Sequence, residues 1–248
     1  MDVLTIYAHH NPHSFCHAVL EQFTDGLRDG GHTSEVVDLY AIGFDPVMHD
    51  RDEANWIDDS VPDDVLEPMS LKERLIGTAR NPLRRLMLKW LIGGLTAREI
   101  IPKLRAVGGP KDVAAQQAKV ARAQALAFIS PVYFVGFPAI LKGWIERVFT
   151  LGFAFNLKPE AWRGDLHGRI PLLSHEKALI ISTTAFDEHA YEGRLGEAMK
   201  LLIDEYSLRY PGVRKVEHVY FYAVHGADRA TREAYLKRAY DLGKTFAA

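Results

Sequence analysis

The chain has 248 residues, 48% hydrophobic and 25% charged, with a formal net charge of −2 at pH 7 and a single cysteine. Such a chain can bury a core unaided, and the numbers exclude a disulfide-stapled scaffold and a whole-protein basic field for nucleic acid. No apolar run approaches the roughly 18–20 residues of a membrane span, and the amino terminus opens on a strand-like run without a basic-then-apolar leader, so the expected compartment is the cytoplasm.

Residues 3–8 form a short apolar run with β-branched members, which reads as a first strand. A polar loop follows, and then Phe15, Val19, Leu20, Phe23 and Leu27 recur at helical spacing until Gly30-Gly31 stops the helix. Residues 33–38 read as the second strand. A helix over 112–124 leads into a third strand at 126–130, and a loop over 131–137 leads into a helix over 138–149 with proline in its first turn. A fourth strand is expected at 178–184, a helical stretch at 191–206, a fifth strand at 216–223 and a closing helix at 231–246. Continuous apolar strands separated by helices imply a parallel sheet covered on both faces. The spacings suit an α/β, flavodoxin-like, doubly wound five-stranded sheet in the order 2-1-3-4-5. Ligands of such sheets sit at the carboxyl ends of the strands, beside strand one. Loops 9–15, 131–137 and 183–191 should therefore build the site.

One segment departs from this plan. Between residues 45 and 67 nine acids face one base, a net −8, and between 71 and 107 nine bases face two acids, a net +7. Such blocks are solvated faces or pair with each other. Leu83, Leu86, Met87, Trp90, Leu91 and Leu95 fall at helical spacing within 80–105, with Gly93-Gly94 as a break. We therefore read 1–248 as a single domain and 58–111 as a helical insertion within it. Three roles fit the insertion: a lid over the site, a dimer arm, or a peripheral membrane contact through the basic, amphipathic 80–105 stretch.

The loop after strand one enters a helix whose first amides lack intrahelical acceptors, a setting that binds phosphate. Ser14 serves there as N-cap or as a hydroxyl donor, and His9 and His10 as donors to phosphate or to a bound ring. His13 and His17 invite a metal reading, but no carboxylate completes a ligand set, so no metal is assigned. The most specific run is PVYFVGFPAILKGWIERVF at 131–149. It couples a strand end, an aromatic loop and a proline-started helix, a setting whose exposed amides can hold the polar edge of a flat heteroaromatic ring.

This run resembles the NAD(P)H:quinone oxidoreductases of the flavodoxin-like superfamily, whose pattern is close to P-x-x-[WF]-x-x-P-A-x-L-K-G-W-x-[ED]-R-V. The resemblance extends to Ala8-His9, Ser14-Phe15, Asp38-Leu39-Tyr40, Phe44-Asp45-Pro46, the 152–155 segment and Ser182-Thr183-Thr184. It implies a flavin, FAD or alternatively FMN, with NAD(P)H as co-substrate. His9, Ser14 and Phe15 would lie by the pyrophosphate and ribityl chain. Pro131, Val132, Phe134 and Val135 would line the ring, Thr183 and Thr184 would meet its polar edge, and Tyr191 would serve the reaction there. Phe155 falls where the family has a substrate-pocket tyrosine. The resemblance also implies a homodimer, with Trp144, Phe149 and Phe153 read as interface or as core. Three departures stand out: Ala185-Phe186 replaces a Gly-Gly, Leu157 replaces a second pocket tyrosine, and Glu197 stands where a histidine sometimes occurs.

The expected chemistry is hydride transfer through flavin N5 to a quinone, a two-electron reduction with ping-pong kinetics. Two alternatives are an FMN azo- or nitro-reductase on the same fold, and a non-catalytic flavin-binding ancillary subunit of a potassium-efflux system.

Overall fold

The computed structural model describes residues 1–49, 52, 56–79, 81–106 and 109–247. Asp50, Arg51, Glu53 and Arg80 of the charged blocks lie outside them. The chain divides into two compact units. The first comprises 1–46, 118–145 and 173–248, and the second 47–117 and 146–172.

The first unit holds the sheet. Its strands are β1 (Asp2–Tyr7), β2 (Thr33–Asp38), β3 (Ala125–Pro131), β6 (Lys177–Thr183) and β7 (Lys215–Phe221), all parallel, in the order β2-β1-β3-β6-β7. These are the five expected strands in the expected order. The numbering jumps because a short antiparallel hairpin, β4 (Phe155–Leu157) with β5 (Arg169–Pro171), precedes β6 in the chain. β3 and β6 are buried at every position, which is why they read as unbroken apolar runs. β2 is an edge strand, exposed along its first four residues.

Alternation across β3 divides the two faces. Ala125, Ala127 and Ile129 join the core that also takes Val19, Phe23 and Leu27 of α1 (Phe15–Asp29) and Ala239 of α9 (Arg229–Lys244). Phe128 points the other way, onto Trp144. Helices α1 and α9 touch backbone to backbone: a Cβ on Gly26 would lie 2.0 Å from the Tyr240 carbonyl oxygen, and one on Gly243 would lie 2.2 Å from that of Phe23. Burying a side chain such as Phe23 contributes about 1.5–3 kcal/mol.

The expected helix at 191–206 is corrected. A 3₁₀ turn, Glu188–Tyr191, comes first; Gly193 then takes a positive φ of 69°, and α8 (Arg194–Met199) runs into a π-helical stretch, Lys200–Arg209. Tyr191 thus ends a turn rather than starting a helix.

The second unit is mainly helical. It contains α2 (Asp63–Leu66), α3 (Leu71–Gly77), α4 (Pro82–Ile92) and α5 (Ala97–Ala106), with the β4–β5 hairpin. The 80–105 stretch is two helices, broken at Gly93-Gly94 as expected. Leu66, Leu71, Leu75, Ile92, Ile100, Ile101 and Leu104 form its apolar core. The charged blocks meet in part: the Arg98 guanidinium donates to Asp63 at 2.7 Å and to the carbonyls of Asp59 and Val61. The same unit holds Arg147, wholly buried, against Asp52 at 3.1 Å and Asp112 at 2.7 Å. Burial alone would lower the Arg147 pKa, but hydrogen bonds to the two carboxylates outweigh it and hold the cation charged.

Candidate active site

The carboxyl ends of β1, β3 and β6 bring His9, Ser14, Phe15, Pro131, Val132, Phe134, Val135, Thr183 and Thr184 to one edge of the sheet. After β1, the His13 amide donates to the Asn11 side chain at 2.9 Å, and Ser14 caps α1 by accepting from the His17 amide at 3.2 Å. The cap leaves the first amides of the helix without intrahelical acceptors. Phe15 lies under the Arg232 guanidinium at 5.9 Å.

His9 and His10 stack with ring centroids 4.7 Å apart. Burial, and then His10, lower the His9 pKa, so the ring is neutral near pH 7. Its Nδ1 accepts from the Asn11 amide at 3.0 Å, which puts the remaining proton on Nε2 and makes that atom a donor. Tyr133 closes the cluster, its hydroxyl 3.4 Å from His10 Nδ1.

The loop after β3 is a tight turn. Tyr133 and Gly136 exchange backbone hydrogen bonds of 3.0 and 3.2 Å, and Phe134 and Val135 between them take positive φ of 45° and 67°. That is the two-residue hairpin geometry usually given to Asn-Gly, and a β-branched residue there is strained by about 1–2 kcal/mol. The amides of Phe134 and Val135 enter none of the loop's hydrogen bonds. Phe134 is fully exposed. Strain of this kind persists where the surroundings over-determine it, often at ligand clamps.

The letters of the 131–149 block have distinct physical origins. α7 (Ala139–Val148), which follows α6 (Lys111–Arg122) and β3 in the chain, needs glycine at 143 because a Cβ would lie 2.2 Å from the Pro46 carbonyl oxygen. This joins the KGW and FDP runs in space. Trp144 and Phe149 are both buried within the single chain, so they are core. Arg147 is the buried cation described above. Phe155 lies in the second unit, buried under the Arg169 guanidinium at 4.6 Å and beside Trp56.

After β6, the Thr184 hydroxyl donates to the Phe186 carbonyl at 2.6 Å and accepts from the Ala223 amide at 3.3 Å. Those bonds, with Ala223 N–H donating to the Phe186 carbonyl at 2.9 Å, hold the path of the Ala185-Phe186 departure. Thr184 therefore shapes the loop, while the Val132 amide ties it to Thr183 at 2.9 Å. Tyr191 is buried against Tyr220 and Tyr222, with centroids 5.5 and 5.7 Å away. Burial raises its phenol pKa, and the Thr184 side chain opposes that shift. Cys16 lies buried beneath, its thiol pushed up to about 12 by burial, with the Thr183 side chain opposing.

One constellation escaped sequence reasoning. Ser182 Oγ lies 2.9 Å from His218 Nε2, and His218 Nδ1 lies 2.9 Å from Asp204 Oδ1. The order is that of a hydrolytic triad, but the Ser182 residue is 2% exposed and the His218 side chain 0%. No substrate reaches such a serine. The three residues instead clasp β6, β7 and the π-helical stretch, and Tyr220 stacks on His218 at 4.1 Å. Their only sequence signal is a serine and a histidine inside strands that are otherwise mostly apolar.

The edge thus offers donors: two turn amides, a helix start and His9 Nε2–H. Such a set, beside aromatic rings, fits a flat heteroaromatic ring with phosphate attached, and the residues present suit a flavin. Among the described residues no group of three or more His, Cys, Asp or Glu gathers to hold a metal.

Comparison with known proteins points the same way. The sequence model of a family described as having the flavodoxin-like fold matches residues 1–242. A Homo sapiens protein named ribosyldihydronicotinamide dehydrogenase [quinone] is 32% identical over 172 residues, 69% of this chain and 61% of that protein. The chain thus spans about three-fifths of the length of that relative. A solved NAD(P)H:quinone oxidoreductase from Methanothermobacter marburgensis is 27% identical with a TM-score of 0.68, covering 100% of this chain and 98% of that one. An FMN-dependent NADH-azoreductase from Bacillus anthracis, solved with FMN, shares the fold at 16% identity and a TM-score of 0.60, covering 100% of this chain and 99% of that one.

Proposed function

Because the chain belongs to the flavodoxin-like fold family, we propose that it is a flavin-dependent NAD(P)H dehydrogenase that reduces a quinone by two electrons. The observation that carries this reading is the donor edge, above all the strained Phe134–Val135 turn with its two uncommitted amides. FAD is the expected flavin and FMN the alternative. When bound, the flavin supplies hydride acceptance at N5 from a dihydronicotinamide and onward delivery to the acceptor.

The chain's own residues bind and orient. The α1 amides and Ser14 would receive the phosphate groups, and His9 would add a neutral N–H donor. Pro131, Val132, Phe134 and Val135 would line the ring, with Thr183 and Thr184 at its polar edge. Thr184 holds the following loop, which sets the position of Tyr191. The Tyr191 phenol, kept protonated by burial, would donate a hydrogen bond to charge developing on the ring's polar edge. Donor and acceptor using one ring face in turn would give ping-pong kinetics. Phe155 would belong to the acceptor pocket. We read the chain as one flavodoxin-like domain with 58–111 inserted, acting as a cytoplasmic homodimer.

The purified protein should be yellow, with one flavin per chain. Release and identification of the pigment decides between FAD and FMN. A colourless protein that takes up neither would end the reading. Tyr191→Phe should lower the turnover of a soluble quinone by up to about 100-fold with little change in stability. Turnover of azo dyes but not quinones would favour the azo-reductase, and pigment without any turnover would favour the ancillary role.

A further inference from the structure

Helix α4 holds an apolar face away from its own unit. Of its eleven residues only Ile92 is buried, while Leu83 and Trp90 are 76% and 83% exposed. Leu86, Met87 and Leu91 are exposed as well. At about 100° per residue these five fall within about 140° of arc, opposite Ile92. Arg84 stands at one margin of that arc and Lys89 beyond the other, and neither joins an ion pair among the described residues. The third base, Arg85, donates to the Ala79 carbonyl at the helix start. No acid occurs from residue 81 to residue 98. The helix is also anchored as a unit. Asn81 caps it by accepting from the Leu83 amide at 2.9 Å, and the Lys72 ammonium donates to the Gly93 carbonyl at 3.0 Å.

We infer that α4 seats this protein on an anionic lipid surface, its five apolar side chains in the acyl boundary and Arg84 and Lys89 among the headgroups. Charge selects this occupant. A second α4 packed against the first brings bases toward bases, because the acid-free helix has no carboxylate to offer. An anionic bilayer supplies the missing charge, and long basic side chains reach it while their stems stay apolar. A tryptophan and leucines sharing one helix face is the composition of an interfacial helix. The inference deepens the quinone reading by naming lipid-soluble quinones as its acceptor class, and rests on that reading only for this step.

The test is sedimentation of the full-length, pigment-bearing protein with vesicles of phosphatidylcholine, with or without phosphatidylglycerol. Wild type should pellet with the anionic vesicles, and less so in high salt. Each base near an anionic surface strengthens binding by about fivefold, so Arg84→Glu with Lys89→Glu should weaken it by about 25-fold or more. Leu86→Glu with Trp90→Glu should abolish it. All four positions are exposed, so flavin content and melting temperature should hold. Failure of wild type to bind, or binding that the Leu86→Glu and Trp90→Glu pair leaves intact, would overturn the inference. So would a pair variant that turns a dimer into a monomer while no form binds vesicles, which would assign the face to a second copy. Vesicle binding without soluble-quinone turnover supports the surface and ends the quinone reading. Turnover without binding does the reverse.

Discussion

In the sheet unit, β3 and β6 hide every side chain, and large apolar groups surface mainly at strand ends, the β2 edge and the helix exteriors. In the helical unit, α4 buries one residue of eleven and shows five large apolar groups along its length. Both segments read as apolar in the sequence. Period decides the difference: a strand run between two helical layers has no free side, whereas a helix docked through Ile92 must present its other faces elsewhere. The units also treat charge differently. The sheet unit centres on an apolar core with a hydrogen-bonded clasp, Ser182–His218, closed by Asp204. The helical unit keeps a full guanidinium at zero exposure.

The largest contrast should come from truncating one aromatic in each unit. Phe23→Ala should cost about 3–5 kcal/mol in urea unfolding, and Trp90→Ala less than about 0.5 kcal/mol. Equal costs would mean α4 is covered within its own chain. Next, Arg147→Met strands Asp52, whose side chain is 2% exposed, and should destabilise by about 3 kcal/mol. A neutral result would show that the Asp52 carboxylate is readily neutralised. Val135→Gly should raise stability by up to about 1 kcal/mol, since it removes the left-handed strain and adds chain entropy in return. Weaker flavin retention in the same variant would show that the strained turn serves binding. The smallest effect is pH. Burial lowers the His175 pKa in the folded state, so the unfolded chain takes that proton first. Stability from this group is full above about pH 6.5 and falls as the pH drops toward the folded value. His175→Gln should flatten that part of the melting-temperature profile; an unchanged slope would leave it to His9 and His32, whose pKa values burial also lowers.

The sheet was legible because buried parallel strands write themselves as apolar runs, and α1 because Phe15, Val19, Phe23 and Leu27 keep helical spacing. The site loops followed from strand order alone. The β4–β5 hairpin was not legible, since three-residue strands carry too little alternation. Leu71 and Leu75, which anchor α3, sit inside the basic block, which read as solvated surface. The π-helical stretch has no period that a sequence scan detects, and it carries Asp204 to His218. The clasp joins residues 182, 204 and 218 through tertiary pairing, which no local pattern encodes. The family block read as a cofactor motif, yet Gly143, Trp144 and Arg147 are there for packing and charge burial.

Cys16 gives the molecule a built-in clock. Its thiol is the only one in the chain, lies 2% exposed, and is held protonated by a pKa pushed up to about 12. Thiolate is the form that reacts with electrophiles, and an oxidised quinone is an electrophile. The folded chain therefore keeps its one thiol out of reach of such electrophiles. The same seclusion makes alkylation of Cys16 a readout of opening, so the rate at which a thiol reagent labels the native protein measures how often the core around α1 comes apart.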